Sequence, residues 1–145
     1  MTIHFLRRII IAAFCICTCT RPAFTQVAII VHKAVPVDTL SQIQLFDVFS
    51  GEVKSWSNKV RVVVFDLKPA VAVKEAFYKL LGKTPSRLKS IWLKRLLMGE
   101  GDPPESLPSE EEILKKVAAT PGAIGFVSKA KVTSEVRVVV IVEKK

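Results

Sequence analysis

The chain has 145 residues and a formal net charge of +9, and half of its residues are hydrophobic. That length holds one domain, and that apolar fraction fills a real core, so a disordered or low-complexity chain is excluded. All three cysteines (Cys15, Cys17, Cys19) lie within the first 25 residues. The remainder therefore has no thiol for a disulfide or a cysteine metal site.

Residues 1–25 read as a secretory signal peptide. Arg7 and Arg8 form a basic start, and Ile9 to Cys19 is an apolar run of 11 residues, too short to span a bilayer. Pro22 breaks any helix, and Ala23 and Thr25 are small residues before a cut at Gln26. An uncleaved anchor helix and a lipoprotein cut before Cys19 are the two other readings of this segment. A signal peptide implies an exported, periplasmic protein, with residues 26–145 as its single mature domain. Removing Arg7, Arg8 and Arg21 takes the charge from +9 to +6. A basic exported chain attracts anions, lipid headgroups or envelope polymers, or simply carries a solvated basic surface. No nucleic-acid motif is present, so no nucleic-acid partner is expected.

In the mature chain, Val27 to Val31 is a continuous apolar run rich in β-branched residues, the pattern of a strand covered on both faces. Ala34 to Thr39, with Pro36, predicts a loop. Ser41 and Gln44 make a capping box for the next helix, whose apolar face is Leu45, Val48 and Phe49. Gly51 suits a left-handed residue after the helix. Trp56 then falls in a turn with Ser57 and Asn58, and Val60 to Phe65 predicts a second strand.

Val73, Ala76, Phe77, Leu80 and Leu81 lie at helical spacing, and Gly82 stops that helix. Pro85 opens another, with Leu88, Ile91, Trp92 and Leu96 as its inner face. Gly99 to Leu107 predicts a loop. Ser109 with Glu112 is a second capping box, Glu110 and Glu111 favour the positive helix end, and Ile113, Leu114, Val117 and Ala118 form the apolar face. Ala123 to Ser128 and Val136 to Val142 predict strands. About four strands alternate with four helices, which defines an α/β fold with a mixed sheet flanked by helices.

Several stretches carry a family resemblance. Leu40 to Trp56 contains a helix followed by Phe49-Ser50-Gly51 and then Trp56. Phe77-Tyr78, Leu97-Met98-Gly99 and Pro103-Pro104 follow, and Pro121-Gly122-Ala123-Ile124-Gly125-Phe126 closes the series. In this order they resemble the second lobe of the periplasmic phosphate-binding proteins of ABC transporters, a type II binding-protein fold. The resemblance runs from Val27 to about Val142 and covers one lobe, like the small stand-alone versions of that domain.

The resemblance implies an anion loop at Phe65 to Lys74. Asp66 stands where the family has Asp. Ala70 stands at the Gly position, Val71 at the Ser position and Lys74 at the Arg position, with Lys68 beside them. The implied phosphate or oxyanion site is the N-terminus of the Ala72–Leu81 helix, where amides and the helix dipole favour negative charge. Two lost charge-assisted hydrogen bonds cost roughly 3–6 kcal/mol, which takes a micromolar site to millimolar. Asp66 would accept a hydrogen bond from a protonated oxyanion or cap the following turn.

His32 is the single histidine outside residues 1–25, and no nucleophile-and-base arrangement is apparent, so no enzyme activity, metal or cofactor is expected. Trp56, Trp92 and Phe126 read as packing residues, and Gly122 and Gly125 as residues of a tight backbone. The function expected is weak phosphate or oxyanion binding linked to uptake or sensing. The alternative is a protein–protein module that keeps the scaffold without its ligand site. Its partner would be an envelope or membrane protein, or a second copy completing a two-lobed cleft.

Overall fold

The computed structural model describes residues 26–142, so residues 1–25, read above as a signal peptide, lie outside the described residues. In chain order the elements are β1 (Val27–Val31), β2 (Thr39–Ser41), α1 (Gln42–Phe49), β3 (Val63–Leu67), α2 (Ala72–Leu81), α3 (Pro85–Leu97), β4 (Glu105–Leu107), α4 (Glu110–Ala119), β5 (Ala123–Ser128) and β6 (Arg137–Val142). The six strands form one mixed sheet in the order β2-β6-β1-β5-β3-β4. β1 runs antiparallel to both β5 and β6, whereas β2–β6, β3–β5 and β3–β4 are parallel. The α/β layer architecture is the one expected.

β1 is buried because it lies inside the sheet and is covered on both faces; Ile30 and Val31 have no exposed surface. On one face, Phe49 of α1 and Phe77 of α2 meet Phe126 of β5. The Phe77 and Phe126 rings stack at 4.1 Å, and Phe49 sits 4.7 Å from Phe77. On the other face, Gly125 lies under Ile113 and Val117 of α4. Successive residues of a strand point to opposite faces, so Phe126 and Gly125 serve different layers. Gly125 is thus a close-packing glycine, while Gly122, with φ +82°, is a left-handed one.

Local signals set most helix ends. Ser41 and Gln44 form the reciprocal capping box, with bonds of 3.2 and 2.8 Å. Gly51 and Gly82 are left-handed, and Pro85 opens α3 behind the Thr84 cap. At α4 only half of the expected box forms: Ser109 Oγ accepts from the Glu112 amide at 3.2 Å. Glu110 stands in the first turn of α4 as expected and has a second role. It is buried, and its carboxylate accepts from the Ser128 amide (3.0 Å) and hydroxyl (2.9 Å), tying α4 to the end of β5.

Four expectations need correction. β3 begins at Val63 rather than Val60, because residues 54–62 fold back on themselves. Trp56 N donates to Val60 O, Val62 N donates to Lys54 O, and Ser55 bridges Arg61. It runs on to Leu67 because β4 pairs with that end. β4 replaces the second half of the expected 99–107 loop, and β2 takes its first residue from the end of the 34–39 loop. Each has three residues and exists through pairing with a longer neighbour. Leu96 is exposed rather than on the inner face of α3, which is held at the rim by buried Leu88 and by Trp92 Nε1 donating to Phe49 O at 2.9 Å.

Candidate functional site

β3 ends at Leu67, and the chain turns through Lys68-Pro69-Ala70 into α2 at the Val71 cap position. Val71 has extended backbone (φ −109°, ψ 165°) and supplies no side-chain cap. Its amide donates back to Pro69 O at 3.0 Å, and its carbonyl accepts from the Lys74 and Glu75 amides. The helix thus starts with its first-turn amides uncapped by any side chain, beneath an isopropyl group that is 41% exposed.

Of the six residues singled out in the sequence, the fold joins two. Lys74 Nζ lies 3.2 Å from Asp66 Oδ2 and also donates to Leu67 O. Both side chains are about four-fifths buried. The other Asp66 oxygen accepts from the Leu67 amide at 2.8 Å. Asp66 therefore bonds within the end of β3 and neutralises the cation assigned to the ligand. Lys68, Ala70 and Ala72 are exposed at the helix mouth, and Lys68 makes no ion pair among the described residues. The arrangement offers an anion a helix terminus and one exposed lysine, with Lys74 available only if Asp66 releases it.

Sequence reasoning missed Tyr78. It lies one turn beyond Lys74, in a groove of about 420 Å³ between α2 and α3 that is walled by Leu88, Trp92, Pro103 and Pro104, with Asp66 and Lys74 at one end. The i, i+4 spacing from Lys74 was the available signal. Burial first, and then the charge of Asp66, push the Tyr78 phenol well above its ordinary value of 10.0. Folding therefore favours the neutral phenol. Its contribution to stability is complete below the unfolded value and is lost as pH rises through the folded one. Tyr78 is the single tyrosine of the chain, so alkaline titration of tyrosinate absorbance reads it directly. The tyrosinate signal is expected to appear together with loss of circular dichroism, above the ordinary range. Ionisation near pH 10 in a still-folded protein would contradict this environment.

The tryptophans pack, as read. Trp56 is buried and its indole N–H donates to Gly122 O at 2.9 Å. His32 Nδ1 accepts from the Ala34 amide at 3.0 Å, which stabilises a turn. Among the described residues, no cluster of His, Cys, Asp and Glu could hold a metal, and no helix is long and apolar enough to cross a membrane.

No protein-family model matches the chain, and no curated protein matches it. Solved structures do. A phosphate ABC transporter substrate-binding protein of Clostridium perfringens, crystallised with bound phosphate, superimposes with a TM-score of 0.65 and 22% identity over 79% of this chain and 44% of its own. An ABC-type phosphate transport receptor of Vibrio cholerae gives 0.63 and 19%, covering 79% and 45%. PstS of Borrelia burgdorferi gives 0.60 and 12%, covering 79% and 46%. The chain therefore spans less than half the length of these proteins. Its fold resembles one lobe of a phosphate-binding protein, as the motifs from Leu40 to Phe126 imply.

Proposed function

We propose that residues 26–145 form an exported, non-enzymatic, solute-binding-protein-like domain that takes phosphate or a similar oxyanion weakly at the N-terminus of α2. The observation that carries this reading is the start of α2, which no side chain caps and beside which Lys68 is exposed. The likeness of the fold to phosphate-binding structures supports it. The affinity is weak for a physical reason: Val71 offers no hydroxyl, and recruiting Lys74 means breaking its pair with Asp66.

Calorimetric titration of residues 26–145 with phosphate at low salt, with sulfate as control, is expected to show saturable binding in the millimolar range. Val71→Ser, which supplies a hydroxyl at the cap, is expected to tighten it about tenfold. No heat at millimolar phosphate for either protein would sink the proposal. N-terminal sequencing of protein recovered from a bacterial periplasm tests export through residues 1–25, and an intact Met1 there would refute cleavage at Gln26.

A protein–protein module is the second reading. Val138, Val140 and Val142 favour it, since they stand exposed along one face of β6.

A further inference from the structure

The helix α3 is amphipathic twice over. Its inner side holds Leu88 in the core and Trp92 against Phe49. Its outer side is also apolar. Leu93 is 55% exposed and Leu97 is 79% exposed; the two are one turn apart, and Met98, just past the helix end, is 60% exposed. Leu96 extends this stripe. Leu93 and Leu96 also border the groove that holds Tyr78, and with Leu97 and Met98 they put four long exposed apolar side chains at one helix end.

Within α3 the charge has one sign, and the nearby carboxylates Glu52 and Glu100 are paired with Arg95. α3 contains Arg87, Lys89, Lys94 and Arg95 and no acidic residue. Arg95 is spent on Glu52 and Glu100, its contacts inside the fold. Arg87, Lys89 and Lys94 are exposed. Lys79 and Lys83 at the end of α2 line a shallow groove with Arg87 and extend the basic field. The surface thus presents apolar side chains in the middle and flexible cations at the edges.

We infer that the outer face of α3, with Lys79 and Lys83, is an attachment surface for an anionic phospholipid bilayer. A basic amphipathic helix lying in the membrane interface has this composition. Leucine and methionine side chains enter the acyl boundary, and lysine and arginine stems extend to the headgroups. Neither element suffices alone: a few apolar side chains bind marginally, and cations alone are screened by salt. Exposed leucine and methionine flanked by lysine and arginine, with no hydrogen-bonding pattern among the apolar groups, suit a fluid anionic surface. An acidic protein is the competing occupant.

The test is co-sedimentation of residues 26–145, which include every described element, with sucrose-loaded vesicles. One set is phosphatidylcholine alone and the other is an equal mixture with phosphatidylglycerol. Binding is expected on the mixed vesicles and not on the neutral ones. Lys89→Gln with Lys94→Gln is expected to weaken it roughly 30-fold. Leu97→Ser with Met98→Ser is expected to weaken it by about tenfold or more, with thermal melting unchanged because both side chains are exposed.

No pelleting on the mixed vesicles overturns the inference and leaves an acidic protein as the occupant. Equal pelleting on neutral vesicles, or indifference to the Leu97 and Met98 changes, also overturns it. Release by inorganic phosphate beyond that by chloride at equal ionic strength would place the contact at the α2 N-terminus and overturn it too.

Discussion

Phe77→Ala is expected to lower the stability of this domain by about 3–5 kcal/mol. The ring has no exposed surface and contacts three others: Phe126, stacked at 4.1 Å, Phe49, tilted at 4.7 Å, and Tyr78, edge-on at 5.3 Å. It joins α1 and α2 to the central strand β5, so its loss opens a cavity where three elements meet. The neighbours cannot collapse into that space without moving a helix against the sheet. A domain of this size has about 5–15 kcal/mol in total, so the variant loses between about a fifth and all of it. Urea titration reads the loss as a shift in midpoint at unchanged slope. Phe77→Leu, which keeps most of the volume, is expected to lose only about 1–2 kcal/mol. A loss below about 1 kcal/mol for the alanine variant would show that the ring is not at the centre of the core.

Gly122→Ala is expected to cost about as much, 3–5 kcal/mol, for a different reason. The residue is left-handed at φ +82°, and an added Cβ would lie 2.1 Å from Arg61 O. That oxygen belongs to the backbone that bridges Ser55, so it cannot swing aside as a side chain would. Moving Gly122 instead disturbs its own carbonyl, which accepts from Trp56 Nε1 at 2.9 Å and from the Val63 amide at 3.1 Å. Gly99→Ala is the comparison. It is also left-handed, at φ +69°, but nothing lies within 4 Å of its Cβ position. Its expected cost is the conformational strain alone, about 1–2 kcal/mol. Equal melting temperatures for the two variants would show that the close approach at Gly122 has no energetic consequence.

The candidate site was legible in part. The position of the β3–α2 turn and the first residue of α2 follow from the alternation of apolar patterns, and Asp66, Lys68 and Lys74 fall at that turn. The pairing of Asp66 with Lys74 was not legible. It depends on the rotation of α2 about its axis relative to the end of β3, which packing of Val73 and Phe77 sets. Tyr78 was read as one of a family pair of aromatics, yet its hydroxyl belongs to the groove beside Asp66. Glu110 was read as a helix-dipole carboxylate because three glutamates stand together in the first turn. Only the approach of Ser128, 18 residues away, shows which of them is structural.

The sequence by itself determined the elements whose causes are local. Ser41 with Gln44, Thr84 with Pro85, and Gly82 mark helix ends because capping bonds and left-handed backbone act within four residues. The apolar runs at Val27 and Ala123 mark the buried strands, and their alternation with helices determined the layer class. The tertiary structure decided what depends on partners distant in the chain. β2 and β4, with three residues each, acquire strand geometry only by hydrogen bonding to β6 and β3. It also decided that Leu93, Leu96 and Leu97 stay exposed, the first two along the groove beside Tyr78, because Leu88 and Trp92 already fill the inner side of α3 against the sheet layer. A period of 3.6 residues marks an apolar face but does not say which of two apolar faces the core will accept; that choice belongs to the volume available beside Phe49 and Gly51.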